Sequence, residues 1–133
     1  MERVHKMSSK YFSDEEMACK CCGQLPEVGM DSRLLDVLDA MREAVGGPLS
    51  LSCAYRCPSH NAEVGGVPNS QHVQGCAADV LLPDGLTVDE LAKIAEQAGA
   101  DGIGKYYDSE FVHVDTRGEC ARWEGGLTSV ILL

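Results

Sequence analysis

The spacing of hydrophobic positions changes several times along the chain, and each change predicts an element. Leu34, Leu38, Met41 and Val45 recur at steps of four, three and four, which puts them on one stripe of an amphipathic helix that Gly46-Gly47-Pro48 stops. Upstream, Ser13 with Glu16 three residues on forms a capping box and predicts a short helix. The stretch holding Cys19, Cys21, Cys22, Gly23, Pro26 and Gly29 breaks all periodicity and predicts a loop. Residues 49–54 alternate loosely and read as a strand, Pro58 opens a brief helix over 58–64, and residues 67–75 are irregular.

Residues 76–82 have the composition of a buried strand, interrupted by one carboxylate, Asp79. Thr87 with Glu90 makes a second capping box, and Val88, Leu91, Ile94, Ala95 and Ala98 give a helical apolar face that ends at Gly99. Residues 102–107 and 111–116 are two strand-like runs around Asp108-Ser109-Glu110, a hairpin-turn composition, and residues 130–133 predict an edge strand. With no regular β-α-β alternation and no internal repeat, the pattern predicts an α+β domain with a small, mainly antiparallel sheet flanked by helices.

A length of 133 residues suits one hydrophobic core, so residues 1–133 are read as a single domain with 1–10 as a flexible terminus. Eleven Lys and Arg against 21 Asp and Glu leave a formal charge of -10, which repels a nucleic-acid backbone; no nucleic-acid partner is expected. The longest apolar runs fall far short of the roughly 20 residues that cross a bilayer, so no membrane insertion is expected either. The charged first residues show no signal-peptide pattern. The protein is therefore expected to be made in the cytoplasm, and to be a monomer.

The chemistry concentrates in Ser70-Gln71-His72-Val73-Gln74-Gly75-Cys76-Ala77-Ala78-Asp79 and, about thirty residues on, Phe111-Val112-His113-Val114-Asp115. Catalytic zinc takes three nitrogen or oxygen ligands and keeps a position open for water. His72, Asp79 and His113 make such a set: Gly75 permits a tight reversal, Asp79 projects from the following strand, and His113 approaches from another strand. The bland alternative is a buried acid satisfied by backbone amides beside two ordinary histidines. His60 and His5 are left out as solvent-facing or without a partner. Trp123, the single tryptophan, is expected to pack against the sheet, with a groove-lining role as the alternative.

Seven cysteines raise a second matter. Cys19, Cys21 and Cys22 in one loop, with Cys53 and Cys57 in another, form either a structural metal site or one or two disulfides. Cys76, between Gly75 and Ala77, reads as a buried small hydrophobe, and Cys120 is unassigned.

The pattern Ser-x-His-x-x-Gly-x-Ala-x-Asp over residues 70–79, with a later strand carrying a third ligand, resembles the zinc D-alanyl-D-alanine carboxypeptidase family. That family also holds D-alanyl-D-alanine dipeptidases and phage L-alanyl-D-glutamate endopeptidases. Ser52-Cys53-Ala54-Tyr55-Arg56-Cys57-Pro58 and Asn61-Ala62-Glu63-Val64-Gly65-Gly66 extend the likeness, which covers residues 10–123 or so. The resemblance implies a hedgehog-like fold, one catalytic zinc, and peptidoglycan stem or cross-link peptides as substrate, cut next to a D-amino acid. His72, Asp79 and His113 match its metal ligands, Glu110 its acidic general base and Arg56 its carboxylate-holding arginine. Ser70 falls where the family places substrate or ligand loop.

Strict strand alternation favours Asp115 as the base, since it shares a face with His113 and Glu110 does not; a turn at Glu110 would remove that objection. Asp115 is otherwise expected to orient a neighbour of the metal. Several relatives carry His where this chain has Phe111, which implies weaker catalysis. Together with the hedgehog signalling domain, which resembles the same scaffold, this sets a zinc-containing binding module for cell wall or protein as the alternative, and a phage structural component as a third. The family further implies a bacterial or phage origin, acting on the cell wall once released.

Overall fold

The computed structural model describes residues 5–6, 11–19, 23, 25, 30–57 and 71–125. The helix predicted over 58–64, the edge strand over 130–133, and Ser70, Cys21, Cys22 and His60 lie outside these residues. Of the predicted terminus over 1–10, only β1 (His5–Lys6) is described, and it pairs antiparallel with β2 (Met30–Asp31).

The capped helices follow from their boundary residues. At α1 (Asp14–Met17), the Ser13 N–H donates to Glu16 Oε1 at 3.0 Å and the Glu16 N–H donates to Ser13 Oγ at 3.2 Å, closing the capping box. The box at Thr87 and Glu90 closes in the same way and starts α3 (Val88–Ala98), which Gly99 ends in a left-handed conformation at φ 101°. Between them, α2 (Ser32–Val45) stops at Gly46, φ 76°, and buries Leu34, Leu38 and Met41 of the predicted stripe together with Leu35 and Val37. None of the described helices is long and apolar enough to cross a membrane.

Five strands form the main sheet: β3 (Leu51–Cys53), β4 (Ala77–Leu81), β5 (Gly102–Tyr106), β6 (Phe111–Asp115) and β7 (Ala121–Gly125), in the order β3-β4-β6-β5-β7. All neighbours pair antiparallel except β5 and β7, which run parallel. The α+β class and the mainly antiparallel sheet are as the sequence predicts, but β7 is not among the predicted strands. Its Arg122 and Glu124 interrupt any apolar run, a composition typical of a strand at a sheet edge.

Alternation sorts the sheet into two faces. Ala78, Val80, Ile103, Val112 and Val114 join the buried cluster with α2 and α3, so one face is the core. Ala77, Asp79, His113 and Asp115 belong to the other face, which carries the polar chemistry.

A buried polar contact ties the start of α2 to the end of β6. Thr116 Oγ1 donates to Asp31 Oδ2, the Asp31 N–H donates to the Gly75 carbonyl at 3.0 Å, and the Thr116 N–H donates to the Cys76 carbonyl at 3.0 Å. The Asp31 carboxylate makes no cap bond to its own helix, and the 71–76 loop is thereby held against two elements. Thr116→Val, which keeps the shape and removes the donor, should cost about 1.5–3 kcal/mol, the scale of a hydrogen bond to a charged group, whereas Thr116→Ser should stay close to wild type. Urea unfolding midpoints of the two variants check this.

Candidate metal centre

Register alone sets a row of side chains across the polar face. Cys53 of β3 pairs with Asp79 of β4, Asp79 with His113 of β6, His113 with Gly104 of β5, and Gly104 with Trp123 of β7. His72 reaches this row from the turn over residues 71–75. The turn closes by Gly75 N–H to His72 O at 3.2 Å and Cys76 N–H to Gln71 O at 3.1 Å, with Gly75 at φ 74° supplying the left-handed step that a side chain would disfavour. The Arg56 N–H donates to the His72 carbonyl at 3.2 Å, tying the arginine segment to the same turn.

Asp79 lies against both His72 and His113, while the donor atoms that all lie within 4.8 Å of one another are those of Cys53, His72 and Asp79, a set without His113. Asp79 Oδ1 lies 3.3 Å from His72 Nε2 and 3.0 Å from His113 Nδ1. The far nitrogen of each ring is committed elsewhere: His72 Nδ1 donates to the Ala54 carbonyl at 2.7 Å, and His113 Nε2 donates to Asp115 Oδ2 at 2.7 Å. Both rings are therefore locked in orientation, with one nitrogen apiece turned to the shared carboxylate. Such outward anchoring is how proteins orient metal-binding imidazoles. Cys53 Sγ sits 3.7 Å from His72 Nδ1, and Cys53, His72 and Asp79 each offer a donor atom within 4.8 Å of the others.

The electrostatics follow from the contacts. Burial opposes the imidazolium at His72, but its hydrogen bonds to Asp79 and Cys53 outweigh that, and its pKa is pushed up to about 10. Burial also opposes ionisation of Asp79 and of Asp115. Asp79 is nevertheless held well below the usual carboxylate range by His113 and His72, and Asp115 by His113 and Arg117. Asp115 accepts from Arg117 Nε at 2.9 Å on Oδ1 and from an Arg117 terminal nitrogen at 2.7 Å on Oδ2, so both of its oxygens are occupied.

The other candidates take distinct places. Glu110 is exposed at the end of the β5–β6 turn with φ 56°, so the turn that releases it from strand alternation exists. Its carbonyl accepts the Leu82 N–H at 2.9 Å. Arg56 Nε is buried without a hydrogen-bond partner. Phe111 stacks on Tyr106, 4.4 Å between ring centroids and 8° from parallel, and the Tyr106 hydroxyl accepts Trp123 Nε1–H at 2.8 Å. Trp123 both packs on the sheet and borders the site, its ring 5.1 Å from that of His113. Cys76 is buried, and its thiol donates to Gln71 Oε1 at 2.9 Å, so it braces the His72 turn as well as filling space. Cys57 N–H donates to Cys19 Sγ at 3.4 Å, which brings those two loops together, and no disulfide is found among the described residues.

Glycines clear the space these groups need. A Cβ at Gly102 would lie 2.4 Å from the Asp115 carboxylate oxygens, one at Gly104 would lie 2.4 Å from Trp123 Nε1, and one at Gly125 would lie 2.1 Å from the Tyr106 ring. The alternation Gly102-Ile103-Gly104 was the available sequence signal, since two glycines on one face of a strand mark a close approach.

The family model described as Peptidase M15 matches residues 10–115, which include all of these groups except Trp123, Arg117 and Gly125. The chain belongs to the peptidase M15 family. Among curated M15 relatives, the "Probable peptidoglycan L,D-endopeptidase MepK" of Haemophilus influenzae is 34% identical over 82 residues, 58% of this chain and 43% of that protein. The "Peptidoglycan L,D-endopeptidase MepK" of Escherichia coli K12 is 32% identical over 101 residues, 71% of this chain and 54% of that protein, and the Shigella flexneri protein of the same name matches equally. The chain spans about half the length of the curated relatives it matches.

Two predictions follow from this geometry. Gly104→Ala should push Trp123 from its seat and shift the emission of this single tryptophan, with a loss of stability, whereas Gly47→Ala, where a Cβ meets nothing within 4 Å, should leave emission unchanged. The His72 contribution to stability is present in full below its ordinary pKa of 6.5 and is lost as pH rises through about 10. Chelator-treated protein should accordingly lose melting temperature between pH 7 and pH 10, more steeply than Asp79→Asn under the same conditions; equal slopes would refute the pairing.

Proposed function

We propose that the chain is a zinc-dependent peptidase that hydrolyses peptidoglycan stem or cross-link peptides. The observation that carries this reading is the pair of imidazoles, each anchored from behind by Ala54 O or Asp115, whose remaining nitrogens face one Asp79 oxygen. Nitrogen and carboxylate donors of this kind suit zinc, and three of them leave room for a reacting water. We assign His72 Nε2, Asp79 and His113 Nδ1 to hold the ion. Bound there, zinc supplies Lewis acidity toward water and a peptide carbonyl.

The remaining steps belong to the chain's own residues. Glu110 accepts the proton of the attacking water and returns it to the leaving amine, a role its exposed position outside the strand repeat permits. Asp115 keeps the His113 ring in its donor orientation and, with both oxygens engaged by His113 and Arg117, serves as a positioning residue rather than a base. Arg56 presents a buried guanidinium nitrogen that a substrate carboxylate would satisfy, and its planar fork suits two carboxylate oxygens. Ser70 borders the substrate in this reading, as the family pattern implies. The likeness to proteins named peptidoglycan endopeptidases supports an endopeptidase reading over the D-alanyl-D-alanine carboxypeptidase action that the motif first suggests, with a substrate in the bacterial cell wall.

The test combines metal analysis with turnover of purified peptidoglycan fragments. Wild type should carry zinc and lose activity to a chelator, and His113→Ala should lose both metal and activity. Glu110→Gln should keep the metal and lose about 10²–10⁴ in kcat, the scale of general acid–base catalysis. Release of free D-alanine identifies a carboxypeptidase, and two peptide products identify an endopeptidase. Zinc bound without turnover in wild type would refute the peptidase reading in favour of a wall-binding module.

A further inference from the structure

The row of donors across the sheet does not end at Asp79. Cys53, next to it on β3, is half-buried, and its sulfur lies within 4.8 Å of both a His72 nitrogen and an Asp79 oxygen. Among the described residues its contacts are His72 Nδ1 at 3.7 Å, the nitrogen that also donates to the Ala54 carbonyl, and a long approach of 3.9 Å to that carbonyl, both weak for a thiol. His113, on the far side of Asp79, is tied by both ring nitrogens to carboxylates, whereas Cys53 offers a soft sulfur donor on the β3 side.

We propose, building on the zinc centre assigned above, that Cys53 is a further protein ligand whose thiolate binds the ion beside His72 and Asp79 in the substrate-free protein. The sulfur–metal bond forms as the S–H bond is lost, with the proton released to solvent. Zinc accepts thiolate at about 2.3 Å, and four protein donors close a tetrahedral centre. Bound in this way, Cys53 would compete with water for the ion, and its release would distinguish a resting from a reactive centre.

Cobalt(II), added alone to the chelator-treated protein, reports the ligand directly. Wild type should show a near-ultraviolet sulfur-to-cobalt charge-transfer band together with visible ligand-field bands. In Cys53→Ser the charge-transfer band should fall while the visible bands and cobalt binding persist; any thiolate band from the Cys19 and Cys57 region would remain in both proteins and cancel in the difference. A Cys53→Ser spectrum that superimposes on wild type overturns the Cys53 assignment and leaves the His72–Asp79–His113 centre standing. Visible bands unchanged in Asp79→Ala would instead remove the centre, and this proposal with it. Wild type gives a reading that needs no substitution: cobalt should protect Cys53 from iodoacetamide while exposed Cys120 still reacts, as located by peptide mapping. Alkylation of Cys53 at the same rate with and without cobalt overturns the proposal.

Discussion

Asp79 stands opposite His113 because β4 and β6 pair over five residues, from Ala77 with Asp115 to Leu81 with Phe111. A slip of one residue would turn both side chains into the apolar core and bring Ala78, Val80, Val112 and Val114 out to solvent. The hydrophobic packing of α2 and α3 against the sheet therefore enforces the register, and the register sets the distances at the site. Apolar burial, which has no directionality of its own, is converted into a carboxylate 3.0 Å from an imidazole.

That arrangement places several charges in a partly buried setting, and each is offset locally. Asp115 is enclosed between His113 and Arg117, Asp79 between two imidazoles, and Asp31 by Thr116 with the backbone of the 71–76 loop fastened beside it. Removing one member of such a group leaves the other desolvated, which is why these contacts hold geometry as firmly as the core does. The glycines at 102, 104 and 125 complete the device by omission, since any side chain there would collide with Asp115, Trp123 or Tyr106. Phe111 joins this wall by stacking on Tyr106 and so packs the aromatic border of the site.

The chain belongs to the M15 family and is similar to proteins named as peptidoglycan endopeptidases, and its polar face sets two histidines against one aspartate. His72 is anchored by a backbone carbonyl and His113 by a carboxylate, so the two rings are held by acceptors of different kinds. A neutral acceptor fixes orientation, whereas the carboxylate also strengthens the donor it holds. Asp115 and Glu110, close in sequence and both acidic, differ sharply in environment: one is buried with both oxygens engaged, the other exposed on a left-handed turn.

Much of this was legible in one dimension. Capping boxes at Ser13 and Thr87, stop signals at Gly46 and Gly99, and the stripe of Leu34, Leu38 and Met41 are local patterns, and local hydrogen bonding and periodicity are all that a helix requires. His72, Asp79 and His113 could be selected because their residue types and the glycine between them carry chemical meaning on their own. Strand β7 was not legible, since an edge strand interleaved with Arg122 and Glu124 has no apolar signature and exists only through its pairing with β5. The same holds for the nearness of Cys53 to the site, the seat of Trp123 over Gly104 and the enclosure of Asp115 by Arg117. The sequence by itself determined the capped helices and the fold class, because these depend on neighbours a few residues apart. Which donors meet, and which acid is saturated, only the tertiary structure decided, because cross-strand register joins residues tens of positions apart and leaves no local trace.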